Sequence, residues 1–259
     1  MLILLPPSEG KAAPRRGQPL DLGTLSSPGL TSARSHVLES LIALCRSDQD
    51  KAAVVLGLSE GQRDLVARNA ILNETPTARA DRIYTGVLYD ALDVASLPTS
   101  ANRRAASRVG ITSSLFGMVR FGDRIPAYRL SGDASLPGLG SVAAHWRDAL
   151  SETVTAAIGQ GLFVDLRSGM YANFWRPDTD LARRTATVRV LHEHNGARKV
   201  VSHFNKATKG RVVRALLIDG ADPRTPLELA HTLERLGWNV EVGEPGKAGT
   251  RLDVVISEL

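Results

Sequence analysis

Three short stretches of this chain gather residue types that can do chemistry on an anion. The first is Pro6-Pro7-Ser8-Glu9-Gly10-Lys11, which follows the apolar run Met1–Leu5. A strand that ends in a Gly/Lys turn offers backbone amides and an ammonium group to a phosphate or carboxylate. It is not a Walker A loop. Only Gly10-Lys11 matches, Ala12 stands where a Ser or Thr would hold magnesium, and Pro14 spoils the following helix. An ordinary strand-end turn with an exposed Lys11 fits the same residues.

The second stretch is Leu136-Pro137-Gly138-Leu139-Gly140-Ser141-Val142-Ala143-Ala144. It is similar to the turn of a helix-hairpin-helix motif, in which Gly138 and Gly140 permit close approach and the free amides of the following helix bind a phosphate. Arg147 departs from that pattern, Leu130–Pro137 makes a poor first helix, and a glycine turn capping a core helix is the plainer alternative. The third stretch runs from His203 through Lys206, Lys209 and Arg211 to Arg214, four cations within nine residues. Cations near a helix start oppose the macrodipole, so a helix that tolerates them there is suited to presenting them to an anion. A solvated basic helix is the alternative.

Other reactive residues carry less. His192 and His194 alternate on an expected strand and His203 could lie across a hairpin, but surface polar positions account for all three, and no metal site is expected. Cys45 falls on the apolar stripe of an expected helix and reads as core. Ser8, Ser113 and Ser168 lack a nucleophile-elbow signature. No cofactor is implied.

These residues need a scaffold. Met1–Leu5 and Leu162–Leu166 are continuous apolar runs, which predicts buried strands. Val109–Thr112, Trp238–Val242 and Leu252–Ile256 read as further strands, and Thr187–Leu191 with Lys199–Phe204 as a hairpin about Asn195-Gly196. Helices are expected over Thr31–Arg46, from Ser59, within Asp81–Asp93, and over Gly140–Ile158, Lys209–Ile218 and Pro226–Leu236, with a long Gly/Pro loop over 14–30. Interleaved strands and helices predict an α/β or mixed α+β fold, with one mixed central sheet flanked by helices. No linker or repeat divides the chain, so residues 1–259 are expected as one domain.

Composition narrows the class. Of 259 residues 43% are hydrophobic, which fits a globular core, and 5% are aromatic, too few for a large stacking surface. No apolar run reaches membrane-span length, and Pro6-Pro7 follows the first five residues too soon for a signal peptide, so a soluble cytoplasmic protein is expected. The single cysteine excludes an intrachain disulfide and a Cys-rich zinc site. The net charge is +5, yet residues 101–130 carry +5 and residues 160–215 carry +7, leaving the remainder near −7. Two basic segments in an otherwise acidic chain suit an anionic partner, and scattered solvated faces suit them as well.

Taken in order, the motifs resemble the YaaA family of bacterial peroxide-stress proteins. Met1-Leu2-Ile3-Leu4 with Ser8 and Lys11 looks like that family's opening strand and turn. Tyr84-Thr85-Gly86 matches its Tyr-Thr-Gly. Ser114–Arg120 and Pro126–Leu130, the latter containing Arg129, resemble its next two segments. Trp146, Val164-Asp165-Leu166, Ser168 and Tyr171 continue the pattern, and Lys206, Lys209 and Gly210 fall on its basic segment. The chain departs from the family's better-studied branch in its opening turn, at Lys209, and in the Gly-rich stretch before Trp146.

The resemblance implies a YaaA-type fold with a helix-hairpin-helix-like element, cytoplasmic location, a role in limiting free iron during peroxide stress, and binding of double-stranded DNA in a basic cleft. Ser8, Lys11, Arg120, Arg129, Lys206, Lys209 and Arg211 are then the expected nucleic-acid or phosphate contacts, with Tyr84, Thr85, Gly138 and Gly140 as pocket candidates. The alternative is an enzyme acting on a nucleotide or another phosphorylated small molecule, with Lys206 as the reactive amine. A tight pocket joining Ser8, Tyr84, Arg120 and Lys206 would favour the enzyme, and a long open groove would favour DNA.

Overall fold

The computed structural model describes residues 1–194 and 197–257. Leu2–Leu5 (β1) is buried on both faces and sits in the middle of an eight-stranded sheet. Its neighbours are Val109–Ser113 (β2) on one side, which pairs in turn with the antiparallel edge strand Gly117–Arg120 (β3), and Phe163–Asp165 (β4) on the other. Thr185–His194 (β5), Ala197–Lys199 (β6), Asn239–Gly246 (β7) and Gly249–Ile256 (β8) complete it. The order is β7-β8-β5-β4-β1-β2-β3, with β6 paired to β5. The five inner strands are mutually parallel, and β3, β6 and β7 are antiparallel. Parallel strands need covering on both faces, which is why β1 reads as an unbroken apolar run.

Helices of six or more residues are α1 (Thr31–Ser47), α2 (Gln49–Val55), α3 (Asp64–Asn69), α4 (Val87–Leu92), α5 (Thr99–Arg108), α6 (Val142–Ile158), α7 (Ser202–Asp219) and α8 (Pro226–Arg235). Sheet and helices share one hydrophobic cluster. The mixed α/β architecture expected from the sequence is present, with both apolar runs as adjacent central strands.

Three local readings change. Val200–Phe204 is not the second arm of the hairpin: β6 ends at Lys199, and Phe204 lies in α7. The apolar residues Val200, Val201 and Phe204 after the Asn195-Gly196 turn signal look strand-like, but α7 extends back to residue 202 as it buries Val212, Val213, Leu216 and Leu217. The Asn195-Gly196 turn falls outside the described residues. Second, α2, α5 and β3 are elements that the pattern did not reveal. Third, the Leu136–Gly140 turn joins a two-residue ribbon, Ser135–Leu136 with Gly140–Ser141, and leads into α6, so the element is hairpin–helix with no helix before the turn. Gly138 and Gly140 hold φ of +76° and +79°, which glycine adopts without strain.

Candidate functional site

From β1 the chain passes to β2 on one side, and it returns later to β4 on the other. The carboxyl ends of β1 and β4 therefore flank a topological switch point, where open α/β sheets leave a crevice. A cavity of about 450 Å³ occupies this position. The turn Pro6–Gly10 after β1 and the segment Leu166–Tyr171 after β4 form two walls, Thr85–Tyr89 a third, and Asn205, Lys206 and Lys209 of α7 the fourth.

One glycine sets the position of α7. A Cβ on Gly210 would stand 2.2 Å from the Leu88 carbonyl oxygen, so only glycine lets α7 cross α4 this closely. Arg214, one turn on, donates from Nη1 to the Leu92 and Asp93 carbonyls at 2.9 and 2.7 Å and satisfies the end of α4. With the crossing fixed, Lys209 is only 9% exposed and its Nζ donates to the Leu166 carbonyl at 3.1 Å. Burial lowers its pKa, opposed in part by Asp165. Lys206, expected from the sequence to be the reactive amine, is the exposed lysine at this wall, and Lys209 is the buried one. Arg211 is exposed and lies off the cavity lining.

The turn after β1 is clipped to residues 83–85. Ser8 Oγ donates to the Gly10 carbonyl at 2.5 Å and accepts from the Thr85 amide at 3.1 Å. Lys11 bridges to Tyr84, and the Ala12 amide donates to the Ile83 carbonyl at 2.9 Å. The Ser8 hydroxyl proton is thus already committed, which suits anchoring better than nucleophilic attack. Lys11 Nζ donates to the Ser8 carbonyl at 2.8 Å and stands 4.4 Å from the Tyr128 ring centroid and 5.6 Å from that of Tyr84. Burial lowers the Lys11 pKa to about 8; Glu9 opposes this and Arg129 adds to it. Beneath it, Tyr84 Oη meets Tyr128 Oη at 3.0 Å, and Tyr128 Oη meets Ser113 Oγ at 2.8 Å. Burial raises the pKa of both phenols, so they stay protonated at neutral pH.

The remaining expected contacts separate. Arg129 pairs with Glu9 of the cavity wall, while its backbone is held by the Asn69 amide at 2.7 and 3.0 Å. Arg120 lies opposite Gly110, towards the amino end of β2 and away from the crevice, and donates to the Ser107 carbonyl at 3.3 Å. Burial lowers its pKa, opposed by Asp123. Arg104, Arg108 and Arg124 of the same basic segment likewise donate to backbone carbonyls, of Leu217, Ala221 and Thr77. The segment that looked like a charged surface is largely a set of internal ties. Gly138 and Gly140 lie in the ribbon before α6, off the cavity lining.

Glu9 and Asn205 line the cavity but did not stand out as site residues in the sequence. The spacing held a signal for the second, since Asn205 and Lys209 are four apart and share a helix face. The Asn205 Oδ1 atom is buried with no hydrogen-bond partner among the described residues. His192 and His194 stack with ring centroids 6.4 Å apart, and among the described residues no three His, Cys, Asp or Glu side chains are grouped to hold a metal. The His203 side chain lies outside what is described. Cys45 is buried and its thiol pKa is raised to about 11, chiefly by burial, in keeping with a core role.

Residues 1–241 match the model of the family described as peroxide stress protein YaaA. A UPF0246 protein of Streptomyces coelicolor is 55% identical over the full length of both chains. A UPF0246 protein of Corynebacterium efficiens is 41% identical, covering 95% of this chain and 97% of that one. An uncharacterized protein of Campylobacter jejuni is 30% identical over 54% of this chain and 53% of its own.

Proposed function

The chain belongs to the YaaA family of peroxide stress proteins, and from that footing we propose that it serves the peroxide response in the cytoplasm by binding a phosphorylated small molecule in the switch-point cavity. The observation that carries this reading is Lys209, an ammonium sunk in the cavity wall with Lys206 exposed beside it. A buried cation is costly unless something compensates it, and a bound phosphate would do so. The other walls are mostly apolar with a few convergent polar groups, the usual make-up of a small-ligand site. The lowered pKa of Lys209 in a cleft points the same way.

Double-stranded DNA is the second reading, favoured by the exposed cations Lys206 and Arg211 on α7. It is supported less well, because most of the 101–130 arginines bind internal carbonyls. An effect on free iron would follow indirectly from the ligand's chemistry.

Calorimetric titration of the full chain with sugar phosphates and nucleoside phosphates tests the proposal. Saturable one-to-one binding, weakened at least about tenfold by Lys209→Met, is the expected result. A host lacking the chain should be more sensitive to hydrogen peroxide, and the Lys209→Met form should not restore it. The DNA reading wins if no phosphorylated small molecule binds while duplex affinity falls with salt at a log–log slope of roughly −4 to −5, flattened by about one unit in Lys206→Ala.

A further inference from the structure

We infer that the ligand of this cavity is a nucleoside phosphate whose base is read by Asn205, an inference that rests on the phosphorylated-ligand reading above. Asn205 lines the cavity, and its Oδ1 is buried without a partner among the described residues. A buried amide oxygen left unpaired is costly, so such groups in folded proteins are nearly always satisfied, by the protein, by water or by a ligand. An asparagine amide presents one acceptor and one donor side by side. Its natural complement is a heterocycle edge that offers a donor beside an acceptor, as the N6/N7 edge of adenine does.

The rest of the cavity divides the ligand in the same way. Pro6, Pro7, Val87, Leu88, Leu166 and Met170 give it a largely apolar lining. The faces of a heteroaromatic ring can lie against these groups, and a bare sugar phosphate has no comparable apolar surface to offer them. Lys209 follows Asn205 by four residues, so the two positions share one face of α7, ~6 Å apart along its axis. That places base recognition and phosphate neutralisation at two neighbouring points, with the ribose as spacer. A volume of about 450 Å³ accommodates a ligand of this class.

The test compares adenosine 5′-monophosphate with ribose 5-phosphate, by calorimetry, on the full chain and on Asn205→Ala. The monophosphate should bind at least about tenfold more tightly than the sugar phosphate, and Asn205→Ala should bring the two affinities together. Equal affinities in the wild-type chain would overturn base reading and leave the phosphate site standing, and this comparison decides the matter even if the variant does not fold. A preference kept intact in Asn205→Ala would remove Asn205 from the role. Failure of both ligands to bind, with only phosphorylated ligands that lack a base bound, would overturn the nucleoside assignment alone; failure of every phosphorylated ligand would overturn the parent reading too.

Discussion

The Lys11 ammonium stands 4.4 Å from the centre of the Tyr128 ring while the Tyr128 hydroxyl, at the ring's far tip, joins Tyr84 to Ser113. One aromatic side chain thus supports a half-buried cation on its face and closes a hydrogen-bonded chain with its edge. The face contact helps keep the charge in a place that burial disfavours.

Lys11 should titrate near pH 8. About a tenth of it is then neutral at pH 7, against well under a thousandth of an ordinary lysine. Acylation followed by peptide mass mapping from pH 6 to 11 should show Lys11 reacting with a midpoint near 8, ahead of an ordinary lysine. A midpoint above 10 would contradict the burial account. Stability follows the same sign: the folded state binds the proton less tightly than the unfolded state, so stability due to Lys11 rises with pH from about 8 to about 10.5. Compared with Lys11→Met, the wild-type melting temperature should gain ground over that window.

Gly210→Ala should destabilise the chain. In an open helix the change would gain up to about 1 kcal/mol. Here the new methyl meets the Leu88 carbonyl at 2.2 Å and the Ala91 methyl at 3.0 Å, so α7 must shift away from α4. Overpacking of this kind costs about 1–3 kcal/mol. Urea unfolding gives the sign directly, and a neutral or stabilising result would mean that the two helices do not cross as closely as described.

Tyr128→Phe removes the hydroxyl shared by Tyr84 and Ser113 and leaves both with a buried, vacated partner. A loss of about 1–3 kcal/mol is expected. Ser113→Ala should cost less once Tyr128→Phe is in place, because Ser113 Oγ still accepts from the Phe116 amide at 3.0 Å but no longer meets the phenol. A double-mutant cycle with coupling near zero would show that the chain of hydroxyls does not act as a unit.

Arg34 is fully buried and donates to the carbonyls of Phe116, Met118 and Ser26 at 3.0, 2.8 and 2.8 Å. Burial lowers its pKa to about 10, partly offset by Asp123, and it stays charged at neutral pH. Arg34→Lys keeps the charge but cannot reproduce a fork that reaches three carbonyls. A loss of at least about 2 kcal/mol is expected, together with faster proteolysis in the 20–30 loop that the arginine ties to β3.

The parts of this fold that were legible in the sequence are those with an undiluted pattern. β1 and β4 are continuous apolar runs because parallel neighbours and helices cover them on all sides. α5 escaped because its only buried residues are Ala101 and Ala105 in an otherwise polar stretch, and β3 because four residues carry no usable period. At the site, the sequence put lysines 206 and 209 in view but not their different burial. That depends on how closely α7 crosses α4, a tertiary fact signalled only by Gly210. Arg120 sits in a motif yet ties to Ser107, since a long side chain can reach a carbonyl that sequence spacing does not reveal.

The placement of β1 also has a consequence during synthesis. Its partners in the sheet, Val109–Ile111 and Phe163–Asp165, are made long after it, the later ones about 160 residues downstream. At roughly 5–20 residues per second the ribosome needs some 8–30 s to supply them. Until Val109–Ile111 are made, roughly 5–20 s on, Leu2-Ile3-Leu4-Leu5 has no strand to pair with, and the centre of the finished sheet is an adhesive segment of the nascent chain. Such a strand is a natural client for a holding chaperone, and a pause in translation before residue 109 would lengthen its exposure.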